Sequence, residues 1–255
     1  MSTTAVDFNA LNIQGVQTTD VVPWDRFILL AGEGFAGKSR AASSFPNPLF
    51  LNFDDKAPVG VRCIPFHSAA FCDSLVKRAN AASPPNKRDA FIKWVEQNAN
   101  KLPPDTTLVL DSLSSLETWW HTQTEDVEKI QANAGGGQLF GQKLKWFSQL
   151  FECLKQYGTR VVINAHLVPV FNKDNQSTGK VKALISGSFA EKIPTYCTSV
   201  IRAYVKPNNN SPEYFWRIKP DTLMNTCVPF TTGVADVNVT AGAYQAMVNL
   251  IANKL

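Results

Sequence analysis

The apolar run Phe27-Ile28-Leu29-Leu30-Ala31 leads directly into Gly32-Glu33-Gly34-Phe35-Ala36-Gly37-Lys38-Ser39, and the residues behind it, SRAASSF, suit a helix. The octet satisfies G-x-x-x-x-G-K-[ST] in full, with the strand before it and the helix after it that give the pattern meaning. Few folds accept such a segment. It requires a buried strand whose carboxyl end opens into a loop of inward-turned N–H groups, backed by the positive end of a helix. The glycines at 32, 34 and 37 supply the backbone freedom, and Glu33, Phe35 and Ala36 contribute N–H groups. Lys38 offers a mobile cation to the β- and γ-phosphates of a nucleotide, and the Ser39 hydroxyl can ligate Mg²⁺. Arg40 follows in the first helical turn.

The rest of the chain repeats that grammar. RFILLA, NPLFLNF, TTLVLD and RVVINAHL are near-continuous apolar runs, separated by helical patterns near 70–82, 87–101, 112–132 and 138–157. Strands without polar alternation belong to a sheet covered on both faces, so the pattern predicts an α/β fold with a central, mostly parallel sheet flanked by helices. TSVIRAYV and PEYFWRIK, joined by the turn-rich KPNNNS, predict a C-terminal β-hairpin that extends the sheet, and 241–253 predicts a closing helix. Residues 1–23 have no clear period and are expected to form an N-terminal arm, with 24–255 forming one domain.

Composition narrows the classes. Apolar content of 44% and charged content of 18% are ordinary for a globular chain, and 25 Lys and Arg against 21 Asp and Glu leave a mild positive charge that decides nothing alone. Five scattered cysteines without a CxxC pair suggest neither a disulfide framework nor a zinc site. With no signal-like N-terminus and no long apolar run, the expected location is cytoplasmic.

A phosphate loop needs acidic partners. LVLD (108–111) puts the Asp111 carboxylate at a strand tip, where it could hold Mg²⁺ opposite Ser39; Asp111 could equally N-cap the next helix, although Ser112 can do that. NPLFLNFDDK ends another strand in Asp54 and Asp55. A strand beside the phosphate-loop strand would bring one of them, Asp54 by preference, to orient the attacking water, the plainer reading being a solvated acidic turn. VVINAHL ends in Asn164, Ala165 and His166, where a polar group could sense the γ-phosphate; a lone histidine is also often structural.

The ordered set GEGFAGKS, PLFLNFDD, LVLDSLSSLE and VVINAHL, followed by a polar loop, resembles RecA-fold P-loop ATPases, above all the compact ones of bacteriophages linked to recombination and single-strand annealing. The resemblance spans about residues 25–220. It implies a RecA-like P-loop NTPase that uses ATP and Mg²⁺, with Lys38 and Ser39 as phosphate and metal residues and Asp111 as the second metal carboxylate. It also puts Asp54 where the family has a catalytic glutamate, and Asn164 and His166 where it has a γ-phosphate sensor. The loop 171–180 falls where RecA has its second DNA-binding loop. A late basic residue that reaches a neighbour's nucleotide is missing from TLMNTCVPF, leaving Lys219, Arg217 or Arg202 as substitutes.

Single-strand binding needs cations for phosphates and aromatic faces for bases. Phe171, Lys173, Lys180 and Lys182 are the candidates, with GGGQLFGQKLKW (135–146) as a second flexible basic stretch. Trp146, Phe147, Leu150 and Phe151 have core spacing, and Trp119 and Trp120, adjacent on a helix, cannot both face one site. The reading is therefore an oligomeric, ATP-dependent single-stranded-DNA-binding protein, with a single-strand-binding protein as a further partner. The alternatives are a nucleotide-gated scaffold with little turnover and a small-molecule kinase. The kinase would need an arginine-rich lid, yet 112–160 holds only Arg160.

Overall fold

All six residues of β1 (Phe27–Gly32) are buried, and their alternation explains why the run is apolar throughout. Phe27, Leu29 and Ala31 enter one core, while Ile28 and Leu30 enter a second core on the opposite face. The computed structural model describes residues 23–78, 86–98, 101–123, 136–156, 160–186, 189–208, 211–230 and 232–253. The expected arm lies outside the described residues, apart from its last position.

The strands are β1, β2 (Pro48–Asn52), β3 (Arg62–Pro65), β4 (Thr107–Asp111), β5 (Arg160–Phe171), β6 (Ser177–Ala183), β7 (Ser199–Lys206), β8 (Glu213–Arg217) and β9 (Asp236–Asn238). The helices are α1 (Lys38–Ala42), α2 (Ala69–Arg78), α3 (Lys87–Asn98), α4 (Leu113–Thr122), α5 (Gly136–Gln156), α6 (Phe189–Tyr196) and α7 (Ala243–Ala252). The sheet order is β3-β2-β4-β5-β1-β7-β8-β9, with β6 paired to β5. β3 through β7 in that order run parallel, and β8 and β9 add antiparallel strands at one edge. This is a mostly parallel α/β sheet extended at one edge by a hairpin, with helices on both faces.

Helices α2 to α6 build the first core over β1, β2, β4 and β5. Its centre is aromatic: Phe66 and Phe91 meet edge to face at 4.7 Å, and Trp119 and Trp146 join the same cluster. Trp119 and Trp120 are both buried, as packing residues should be. Each large apolar side chain removed from water here contributes about 1.5–3 kcal/mol. The second core lies under α1 and α7, where the tilted rings of Trp24, Phe45 and Tyr244 pack in one cluster with Met247 and Trp216.

Several expectations are corrected. β2 does not neighbour β1, since β4 and β5 lie between them. The segment 171–180 is not a loose loop: β5 continues through Phe171 and β6 returns antiparallel beside it. The alternation in LVPVF and GKVKA supports a two-stranded ribbon. Its turn is closed by Asn172, whose side-chain oxygen accepts the N–H groups of Asp174 and Gln176. The stretch 136–146 is the first half of α5, not a flexible basic loop. Lys143 there is buried in an ion pair with Glu117 at 2.6 Å, and Gly135 lies outside the described residues. Short β3, β9 and α6 gave too little pattern to be foreseen, and residues 124–132 of the expected long helix are outside the described ones. No helix among the described residues is long and apolar enough to cross a membrane.

Candidate nucleotide site

The carboxyl ends of β1 and β4, the middle of β5 at His166 and the turn after β2 surround a cavity of about 490 Å³. It is lined by Gly34, Phe35, Ala36, Gly37, Lys38, Ser39, Arg40, Asp54, Lys56, Asp111, His166 and Tyr214. The parallel registers put Gly32 beside His166 and Asn52 beside Asp111. Residues far apart in sequence thus share one rim, as ligand sites do at strand ends in open α/β sheets.

The three loop glycines have different physical reasons. A Cβ on Gly32 would lie 2.6 Å from the Ala203 carbonyl, so the sheet itself excludes one. Gly37 precedes α1 with φ of 74°, and a Cβ there would lie 2.5 Å from the Tyr214 ring. Gly34 has open space around it. Phe35 adopts φ of 62° and is 99% exposed.

Lys38 is buried, and its ammonium donates to the carbonyls of Gly32 at 3.0 Å and Glu33 at 2.7 Å. Burial lowers its pKa, and Asp111 opposes that effect. Asp111 is also buried, and burial raises its carboxyl above the ordinary range, opposed by hydrogen bonds from Ser39 and Asn164. The Asn164 amide donates to Asp111 Oδ1 at 3.1 Å, while its own oxygen is buried without a partner. Ser112 caps α4 through Ser115 N–H, which leaves the Asp111 carboxylate to the cavity.

Asp54 and Asp55 separate cleanly. Asp54 lines the cavity and accepts from Ser115 Oγ at 3.4 Å. Asp55, with φ of 60°, turns to His67 Nε2 at 3.2 Å and is 86% exposed. His166 is half-buried on the cavity wall, its pKa lowered first by burial and then by Lys38.

A divalent cation fits this donor set. Ser39 and Asp111 are already hydrogen-bonded to each other, the buried Asp111 charge is poorly compensated, Asp54 adds negative charge nearby, and one buried amide oxygen is unpaired.

The structure brings Lys38, Ser39, Arg40, Asp54, Asp111 and His166 to one cavity, with Asn164 behind Asp111. Phe171, Lys173, Lys180 and Lys182 lie apart from it on the β5–β6 hairpin; Phe171, Lys173 and Lys180 are exposed and Lys182 half-buried. Arg202 is paired with Asp221 and Arg217 with Asp236 and Asp221. Lys219 has no ion pair among the described residues. Two cavity residues went unforeseen: Tyr214, on a strand read only as a sheet extension, and Lys56, beyond the acidic pair. The lysine's place in FDDK was the available signal.

The model of a family described as an AAA domain matches residues 25–226. The chain belongs to that family. It is an AAA domain protein with a P-loop ATPase site. Solved structures similar to it include the KaiC-like protein of the hyperthermophilic archaeon Pyrococcus horikoshii OT3, 12% identical over 83% of this chain and 84% of that one, TM-score 0.44. Another is the flagellar accessory protein FlaH of Methanocaldococcus jannaschii, 11% identical over 84% of each chain, TM-score 0.44. No curated protein matches the chain. At these identities the family match, together with the site geometry, carries the assignment.

Proposed function

We propose that this AAA domain protein hydrolyses ATP and binds single-stranded DNA, nucleotide state controlling the DNA-bound state. It would act in annealing or strand pairing during recombination, repair or replication, as the resemblance to bacteriophage ATPases implies. The observation that carries the nucleotide half is the cavity shared by Lys38, Ser39, Asp54, Asp111 and His166. Magnesium, when bound by Ser39 and Asp111, supplies charge neutralisation at the β- and γ-phosphates. Lys38 exchanges its loop carbonyls for phosphate oxygens. Asp54, held by Ser115, orients water and accepts its proton, and water attacks the γ-phosphorus as the bond to ADP breaks. The Asn164 amide favours the ionised form of Asp111 against its burial, and His166 faces the departing phosphate.

The DNA half rests on the hairpin, where Lys173, Lys180 and Lys182 accompany the half-exposed Phe171. Its root is tied to the cavity, because the His166 carbonyl accepts the Leu184 N–H at 2.6 Å. A switch in the wall at His166 therefore has a short covalent and hydrogen-bonded route to the hairpin. Self-association and a single-strand-binding protein as partner belong to the same proposal. Fluorescence anisotropy with labelled oligo-dT tests it. Replacing the three lysines by alanine should weaken binding and reduce the slope of log affinity on log salt by roughly 0.7 for each DNA phosphate that is no longer neutralised. Equal binding by both proteins would overturn the hairpin as the DNA site.

A further inference from the structure

We infer that Lys56 is a catalytic residue acting within its own chain, its ammonium contacting the γ-phosphoryl oxygens of ATP and neutralising the charge that develops as the phosphoryl group passes to water. The inference rests on the nucleotide reading above and adds a residue to it.

The cations around the cavity have different commitments. Lys38 is held by two loop carbonyls. Arg40 leans over the Tyr214 ring at 5.5 Å and donates to the Thr240 carbonyl at 3.4 Å. Arg202 and Arg217 are tied to carboxylates. Lys56 lines the cavity and makes no ion pair among the described residues, so its charge is available to an incoming anion. Its field already reaches the opposite wall, where it contributes to lowering the His166 pKa.

The turn that delivers Lys56 is built rather than incidental. Asn52 Oδ1 accepts the Asp54 N–H at 3.1 Å, and Asp54 Oδ1 accepts the Lys56 N–H at 3.2 Å, two successive Asx turns. Left-handed Asp55 sends its own side chain out to His67. The carboxylate and the ammonium, two positions apart, thereby share one cavity while the residue between them leaves it.

Such an arrangement matches the needs of phosphoryl transfer. The water oxygen forms a bond to the γ-phosphorus, the bond from phosphorus to the ADP oxygen breaks, and the water proton passes to Asp54. Lys56 stays protonated throughout and donates to oxygens whose charge grows in the transition state. Preorganised donors of this kind are worth on the order of 10²–10³ in kcat.

The test compares Lys56→Ala and Lys56→Arg with wild type and Lys38→Ala, measuring kcat and the affinities for ADP and for ADP–fluoroaluminate, a mimic of the transferring phosphoryl group. Lys56→Ala should lose on the order of 10²-fold in kcat and at least about tenfold in affinity for the mimic. Its ADP affinity should stay within about twofold, and Lys56→Arg should recover part of the loss. Unchanged kcat and mimic affinity would overturn the role of Lys56, and so would an equal loss in ADP affinity. In either case a dead Lys38→Ala leaves the nucleotide site standing. If Lys38→Ala binds and turns over ATP like wild type, the nucleotide reading itself falls.

Discussion

Asn164 on β5 donates its amide to Asp111 on β4 across adjacent parallel strands, at 3.1 Å in the buried floor of the site. The bond favours the ionised carboxylate against the burial that raises its pKa. Asn164→Ala should therefore raise the Asp111 pKa further and move the acid limb of ATP hydrolysis to higher pH. A pH–rate profile checks this, and an unmoved acid limb would contradict it.

Asp111 itself trades stability for chemistry. Its folded pKa lies above the ordinary aspartate value of 3.8, so the fold favours the protonated form. That stabilisation is complete below the unfolded value and lost as pH rises through the folded one, leaving the ionised group as a cost at neutral pH. Asp111→Asn should abolish hydrolysis yet raise the melting temperature measured without nucleotide or metal. About 1 kcal/mol corresponds to 2–4 °C for a chain of this size. A lower Tm would show that the ionised form is compensated.

Much of this was legible in the sequence because the strands around the phosphate loop are buried on both faces. FILLA, LVLD and VVINA could be neither alternating surface strands nor amphipathic helices, and they lead to Gly32, Asp111 and His166 respectively. What escaped had weaker local signals. The β5–β6 hairpin reads as a polar loop because its strands are exposed and its turn holds Asn, Asp and Gln. Lys143 reads as a surface cation, yet pairing with Glu117 lets it be buried. The order of strands, and so the distance of β2 from β1, is a tertiary property that no local pattern encodes. Tyr214 joins the site for the same reason.

The glycine environments predict a graded response. Gly37→Ala meets both a left-handed φ and the Tyr214 ring, and should lose nucleotide binding with a stability cost of at least about 1 kcal/mol. Gly34→Ala meets nothing within 4 Å and should fold like wild type. Thermal melts and nucleotide titrations of the two variants separate these outcomes; equal behaviour would contradict the steric explanation.

The Glu117–Lys143 pair joins α4 to α5, and Ser186 also binds it, donating its backbone N–H to Glu117 at 3.0 Å. With the lysine and glutamate side chains 5% and 13% exposed, removal of one partner strands a buried charge. Lys143→Met should cost about 3–5 kcal/mol in denaturant unfolding. Adding Glu117→Leu should recover part of that loss, and strict additivity of the two changes would contradict a buried, coupled pair.

The most direct measurement is ATP hydrolysis by wild type and Lys38→Ala, each with and without single-stranded DNA. The wild-type rate should rise with DNA, and the variant should show no activity in either condition. A lysine-dependent rate indifferent to DNA would contradict DNA-controlled turnover, and hydrolysis that survives loss of the Lys38 ammonium would contradict the site itself.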